Sequence, residues 1–172
     1  ELISLVTRIK NKALELHKTN PLLKNSLDYI TYNLKPYAFL KTKIEILRRT
    51  EYCLYHTETA QANLADFGVH KIKRGMTIYV HGYSSSVVDL LLKAKSLGIP
   101  FEVVTTESHP YFTGYLLASI LAKNDIHVNY YADLALRLAI KRSDIVLLGA
   151  DTISEQGQVF SSIGSELVAE IA

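Results

Sequence analysis

The chain opens on a helical rhythm. In LISLVTRIKNKALEL, the apolar residues Leu2, Leu5, Val6, Ile9, Ala13 and Leu16 recur at spacings of three and four, which predicts an amphipathic helix. Asn20-Pro21 starts a second helix, with Pro21 in the first turn, where a missing N–H is tolerated. SLDYITYNL carries that helix to a break near Lys35-Pro36. A third, longer pattern runs from about Tyr37 to Phe67, and Gly68 is its expected stop.

At Gly75 the period changes. MTIYVHG is a short, β-branched apolar run, and SSVVDLLLKAKSLG is a helix closed by Gly98. PFEVVTTE predicts a second strand and TGYLLASILAKND a second helix, with Thr113 as candidate N-cap. IHVNYY, ADLALRLAIKR and DIVLLGAD continue the alternation as strand, helix and strand. GQVFSS reads as a short fifth strand before IGSELVAEIA. Strands alternating with helices of about a dozen residues define an α/β fold, a parallel sheet with helices on both faces. The expected organisation is a helical bundle over residues 1–74 and a Rossmann-like α/β domain over residues 75–172. The last helical pattern runs to Ala172, so the chain is expected to be a fragment or to lack a C-terminal part of that domain.

Composition narrows the classes. The hydrophobic fraction is 48%, enough for a core, but no run reaches the roughly eighteen apolar residues that span a bilayer. The first residues mix charge with apolar positions and lack a signal-peptide layout. The single cysteine, Cys53, excludes an internal disulfide and a cysteine-based zinc site, in keeping with a reducing, cytoplasmic compartment. Charge is unevenly divided: residues 1–75 carry 13 Lys and Arg against 7 Asp and Glu, residues 76–172 carry 6 against 10. The split fits either two differently solvated faces or a basic half meeting an acidic partner. Basic and aromatic residues do not interleave in a nucleic-acid signature.

Ligands of open parallel sheets bind outside the carboxyl ends of the strands. Here those ends carry His81-Gly82-Tyr83-Ser84-Ser85, then Thr105-Thr106-Glu107-Ser108-His109-Pro110, then Tyr130-Tyr131-Ala132-Asp133, then Gly149-Ala150-Asp151. Titratable groups are thus expected on one edge at all four ends. In the first turn, Gly82 permits close backbone approach, and the amides and hydroxyls of Ser84, Ser85 and Ser86 suit a phosphate. The same turn also reads as a plain N-cap, which local sequence favours, since neither GxGxxG nor GxxxxGK[ST] is present and no lysine follows.

Glu107 and Asp151 are candidates for an acid–base pair, or for a local cap and a loop start. His81 and His109 are a weak metal pair without cysteines beside them, and no metal or cofactor is expected. Cys53 reads as a small buried hydrophobe, and the tyrosines, Tyr111 and Tyr115 near the site included, as packing residues.

VHGYSSSVVDLLLKA, FEVVTTESHPYFTG and DIVLLGADTISEQGQVFSSIGSELVA resemble, in order and spacing, segments of the initiation factor 2B alpha/beta/delta family. Its relatives include methylthioribose-1-phosphate and ribose-1,5-bisphosphate isomerases. The resemblance covers roughly Gly75 to Ala172, and residues 1–75 match it only in architecture. The isomerase branch implies a cysteine after the first strand and an aspartate after the fourth, exchanging protons with a sugar phosphate. Asp151 keeps the aspartate position, whereas Gly82 stands at the cysteine position and cannot transfer a proton. Ser161 and Ser162 stand where the isomerases carry Asn-Lys, and His109 where they carry arginine. HGYSSS is similar to the HAYS form of the non-catalytic alpha subunits.

The expectation is a non-catalytic subunit. The resemblance implies self-association as a dimer or higher oligomer, and initiation factor 2, through its alpha subunit, as partner. Gly82, Tyr83, Ser84, Ser85, Glu107, Ser108, His109 and Asp151 would line a sugar-phosphate or nucleotide pocket. Lys41, Lys43, Arg48 and Arg49 are the candidate basic face. The alternative is an aldose–ketose isomerase of ribose 1,5-bisphosphate or methylthioribose 1-phosphate, in which Asp151 works with a second group, Glu107 or His81.

Overall fold

The computed structural model describes all residues except Thr19, Pro36 and Tyr37. The chain divides into two compact units, Glu1–Ala60 and Gln61–Ala172. Three helices lead: α1 (Leu2–Leu16), α2 (Pro21–Thr31) and α3 (Phe39–Val69). Asn20 caps α2, its side chain accepting from the Leu23 N–H at 2.9 Å, with Pro21 in the first turn. α2 stops at Thr31. The expected break at Lys35-Pro36 and the start of α3 at Tyr37 fall on or beside residues outside the described set.

In the first unit, Arg49 of α3 explains where α2 ends. Its Nη1 donates to the carbonyls of Tyr29, Ile30 and Tyr32 at 3.3, 3.4 and 2.6 Å, closing the helix terminus whose carbonyls lack intrahelical donors. Its Nε donates to Glu45 at 2.7 Å, and Arg48 binds the same carboxylate. Hydrogen bonds from Arg48 and Arg49 hold the Glu45 carboxyl down at about 2. Arg49 is therefore an internal staple with only 18% of its side chain exposed, which removes it from the expected basic face. Lys41 and Lys43 remain exposed.

α3 continues past the expected stop at Gly68. The helix ends at Val69, one residue beyond it, and a Cβ on Gly68 would lie 3.0 Å from Leu90 Cδ1, so this glycine also serves close packing. The last turns of α3 belong to the second unit, where Val69 and the following Ile72 enter the core. Two polar ties join the same segment to the next helix, Gln61 to Asp89 and Lys93 to Asp66.

The second unit contains β1 (Met76–His81), α4 (Ser85–Ser96), β2 (Phe101–Thr106), α5 (Thr113–Lys123), β3 (Val128–Tyr131), α6 (Leu136–Lys141) and β4 (Ile145–Leu148). The four strands are parallel in the order β3-β2-β1-β4, as in one half of a doubly wound fold. Side chains alternate across the sheet. Ile78, Val80 and Val103 pack with α4 and α5 on one face, and Tyr79 and Val104 with α6 and α7 (Ser165–Ile171) on the other. Helices thus cover both faces, and β1 and β2 are fully buried over their last four residues. Gly98, at φ +69°, closes α4, with its N–H on Lys95 O and that of Ile99 on Ala94 O.

GQVFSS does contain a strand, but not of this sheet. β5 (Thr152–Ile153) and β6 (Val159–Phe160) form a separate antiparallel hairpin. The expected cap of α5 also differs. Phe112, in the left-handed region at φ 52°, is the N-cap residue, and Thr113 is the first helical residue. That shift frees the Thr113 hydroxyl for the site. Among the described residues, no helix is long and apolar enough to cross a membrane.

Candidate functional site

The strand order reverses between β1 and β4, so the loops after these strands flank the crevice where such sheets place ligands. Two glycines let the loops meet. Gly82, at φ +65°, turns the chain out of β1. Gly149, at the end of β4, lies so close to Ser84 that a Cβ there would sit 2.7 Å from the Ser84 Cβ. Ser84 is the N-cap residue of α4 by backbone geometry, yet its side chain makes no capping hydrogen bond. The plain N-cap reading of the serines is thus not what the turn adopts at Ser84.

Hydroxyls surround Gly82. A Cβ built on it would lie 3.1 Å from Thr113 Oγ1, 3.3 Å from Ser162 Oγ and 3.9 Å from Ser108 Oγ. The sequence separates these residues by up to eighty positions, and the fold gathers them from the ends of β1 and β2, the start of α5 and the turn before α7. Ser162 and Ser161 both approach the Ser165 hydroxyl, at 3.4 and 3.1 Å. Gly82 and Ser162, two positions where the chain departs from the isomerase pattern, are therefore neighbours.

A second cluster lies at the ends of β2 and β3. The Asp133 carboxylate accepts from the backbone N–H of Ser108 at 2.8 Å and of His109 at 2.9 Å, and faces His109 Nδ1 at 3.0 Å. Burial opposes its ionisation. The His109 and Ser108 amides, the His109 ring and the Thr106 hydroxyl outweigh that and hold the carboxyl at about 2. This clamp secures a strained loop, with Ser108 at φ 59° and Phe112 at φ 52°, both outside the usual range for non-glycine residues. Ser108 is buried, whereas His109 is exposed and lies against the Phe112 ring at 4.2 Å.

Glu107 joins His109 at 3.6 Å. Donor atoms of Glu107, His109 and Asp133 lie within 4.8 Å of one another, a spacing a cation could use. The oxygens of Asp133 already accept three N–H groups, however, and His109 Nδ1 is turned to Asp133, so two of the three members are tied to each other by hydrogen bonds.

The remaining residues stand apart. His81 is buried and hydrogen-bonded to the Ile163 carbonyl. Tyr83 and Ser85 are exposed at the start of α4. Asp151 is exposed; its backbone N–H donates to Phe160 O at 2.8 Å, and its carboxylate has no partner among the described residues. No hydrogen bond or ion pair joins Asp151 to Glu107 among the described residues. Cys53 lies half-buried in the α3 part of the first unit. Tyr111 is exposed, and Tyr115 packs edge-on against Tyr130 at 6.2 Å.

Sequence reading passed over Thr113 as a site residue and gave Asp133 no specific part. For Thr113 the only signal was its place beside a glycine after a strand end. For Asp133 it was a carboxylate directly following β3.

Fold and site together define a class: a helical segment leading into a doubly wound parallel α/β unit whose polar side chains converge where the strand order reverses. The chain belongs to the initiation factor 2 subunit family, whose model matches residues 1–172, so the likeness extends through the helical part as well. It is 34% identical over 139 residues to an eIF-2B subunit 2-like protein of Pyrococcus furiosus, covering 80% of this chain and 50% of that protein. It is 35% identical over 124 residues to a ribose 1,5-bisphosphate isomerase of Archaeoglobus fulgidus, covering 72% of this chain and 40% of the other. Among solved structures, the Pyrococcus horikoshii OT3 translation initiation factor eIF-2B superposes with a TM-score of 0.86 at 26% identity, over 99% of this chain and 59% of that one. The chain spans about half the length of the curated relatives it matches.

Proposed function

We propose that this chain is a non-catalytic initiation factor 2B-like subunit that binds initiation factor 2 and keeps a strand-end pocket for a sugar phosphate or nucleotide. Gly82 carries this reading. It offers no group to exchange a proton, its backbone sits at φ +65°, and the space a side chain would enter is bounded by Thr113 and Ser162 hydroxyls. The isomerase alternative draws on the Archaeoglobus fulgidus relative and on Asp151, whose exposed carboxylate has no partner among the described residues.

A ligand screen separates the two. The full chain is titrated by calorimetry and thermal shift with ribose 1,5-bisphosphate, methylthioribose 1-phosphate, AMP and GDP, with NMR analysis of the same samples. A ligand binding only the native state at a hundred times its Kd stabilises it by about 2.7 kcal/mol. Stabilisation without product is the expected result. Protein-dependent product would overturn the non-catalytic reading. Gly82→Cys is expected to create no turnover and to lower stability by about 1–2 kcal/mol, because an L side chain is strained in the left-handed region.

The partner is initiation factor 2, through its alpha subunit, and the basic first half supplies the contact. Lys41 and Lys43 are exposed, whereas Arg49 is committed to the end of α2. The double reversal Lys41→Glu, Lys43→Glu is expected to weaken binding at low salt at least tenfold, with a shallower salt dependence. Equal affinity of variant and parent at low ionic strength rejects this surface. Self-association completes the reading, supported by exposed apolar side chains on the second unit such as Leu134, Ile153 and Ile163.

A further inference from the structure

In the first unit, α3 packs with one face and leaves the other bare. Thr42, Ile46, Arg49, Cys53 and Thr57, spaced by three or four, are buried or half-buried. On the opposite side Leu40, Ile44, Leu47, Glu51, Leu54 and Glu58 follow an alternation of four and three, with Lys41, Arg48 and Tyr55 beside them, and all nine are exposed. Leu40, Ile44, Leu47, Leu54 and Tyr55 each keep at least half of their surface in solvent. A helix face turned to water carries polar residues, whereas apolar residues at this spacing form a seam for another helix.

The charges on this stripe are sorted by sign along it. Lys41 and Arg48 lie in its first half, Glu51 and Glu58 in its second. Positions 41 and 58, 44 and 55, and 48 and 51 share one midpoint, between residues 49 and 50. A second α3 laid antiparallel about that midpoint therefore sets Lys41 against Glu58, Arg48 against Glu51 and Ile44 against Tyr55, each pair occurring twice. Leu47 then lies within one turn of Leu54 of the other copy. A parallel pair would stack Arg48 on Arg48 and Glu51 on Glu51. The order of signs thus fits the helix to its own reverse better than to a partner of one charge. The groups are available for this. Lys41, Glu51 and Glu58 have no ion pair among the described residues, and Arg48, at 3.0 Å from Glu45, keeps 68% of its side chain exposed. Glu45 is also held by Arg49, so it keeps a partner when Arg48 reaches across.

We propose that α3 pairs antiparallel with α3 of a second copy of this chain, through the stripe over residues 40–58. The strip is about 27 Å long and one helix, about 10 Å, wide. That is small beside the roughly 800 Å² per partner of a standard stable interface, so the dimer is reversible, and its charge pairs make it weaker at high salt. The inference goes beyond the functional reading, since it needs neither the strand-end pocket nor initiation factor 2. Lys41 enters both, so a paired α3 withholds it from an acidic partner.

Sedimentation equilibrium of the full chain alone, over a wide concentration range at low salt, tests this. Arg48→Glu places a carboxylate against Glu51 of the other copy, and Glu51→Arg places a guanidinium against Arg48. Each single variant is expected to weaken the dimer at least about tenfold. The double variant Arg48→Glu, Glu51→Arg exchanges both members of both pairs and is expected to return to within about threefold of the parent, the coupling that marks residues in contact. Circular dichroism checks the fold of each protein. Should Arg48→Glu not fold, because Arg48 also binds Glu45, the same exchange with Lys41→Glu and Glu58→Lys takes its place. A parent chain that stays monomeric, single variants that dimerise as the parent does, or a double variant as weak as the single ones each overturns the proposal. A different protein as the occupant of the stripe gives the first of these results, and dimers formed only through the second unit give the second.

Discussion

Asp133→Asn is expected to destabilise the second unit by about 2 kcal/mol at neutral pH, the range found for losing hydrogen bonds to a charged group. The carboxylate holds two backbone amides and the His109 ring, and asparagine offers one acceptor where two were used. The loss also has a pH signature. The folded-state value is about 2 against an ordinary 3.8, so the carboxylate stabilises the fold above about pH 4, and that stability disappears as pH falls towards 2. A shift of this size corresponds to about 2.5 kcal/mol by linkage. The side chain is 36% exposed, so solvent screening brings the expected contribution to about 1 kcal/mol. Glu45, held low by Arg48 and Arg49, adds acid sensitivity of its own, which cancels when variant and parent are compared. Urea titrations followed through the β1 and β2 amides at pH 7 and pH 2.5 provide the comparison. The gap between the two proteins should narrow by about 1 kcal/mol in acid. A gap equal at both pH values would mean that shape, and not charge, holds the loop.

The sheet was legible because its signal is local. Runs such as MTIYVH and FEVVTT are apolar and β-branched, bounded by glycine or proline, and alternate with helices of matching length. A parallel sheet then places every strand end on one edge, so convergence of Gly82, Ser108 and Asp133 followed from topology before any distance was known. What the sequence hid is tertiary. Ser162 and Gly82 meet only because the turn before α7 folds over β1. Arg49 looked like a surface charge because nothing local shows that the carbonyls of α2 await it. Gly68 marks the end of α3 to within one residue, but that it also packs against Leu90 is a contact no local signal shows. Thr113 fits the N-cap preference, but Phe112 takes the left-handed turn and Thr113 becomes the first helical residue, its hydroxyl beside Gly82.

Gly114→Ala is expected to have the largest effect on stability, at least about 3 kcal/mol, beyond the usual cost of overpacking. An alanine Cβ would lie 1.7 Å from the Thr106 carbonyl oxygen, 2.9 Å from its carbon and 3.2 Å from the Glu107 carbonyl carbon. All three are backbone atoms, so no rotamer relieves the clash, and α5 has to back away from β2. Backing away breaks the bond from the Gly114 N–H to Glu107 O at 3.2 Å and draws Thr113 off Gly82. Helix propensity predicts the opposite sign, since alanine gains about 1 kcal/mol over glycine inside a helix. The two effects therefore compete, and the sign of the measured change decides between them. Gly157→Ala is the control: its φ is +80° and nothing lies within 4 Å, so only the left-handed strain of about 1–2 kcal/mol applies. Chemical denaturation of both variants gives the answer. A Gly114→Ala protein as stable as its parent would mean that α5 does not seat against the end of β2. The hydroxyl ring around Gly82, which depends on that seating, would then lose its Thr113 member and its claim to be a preformed site.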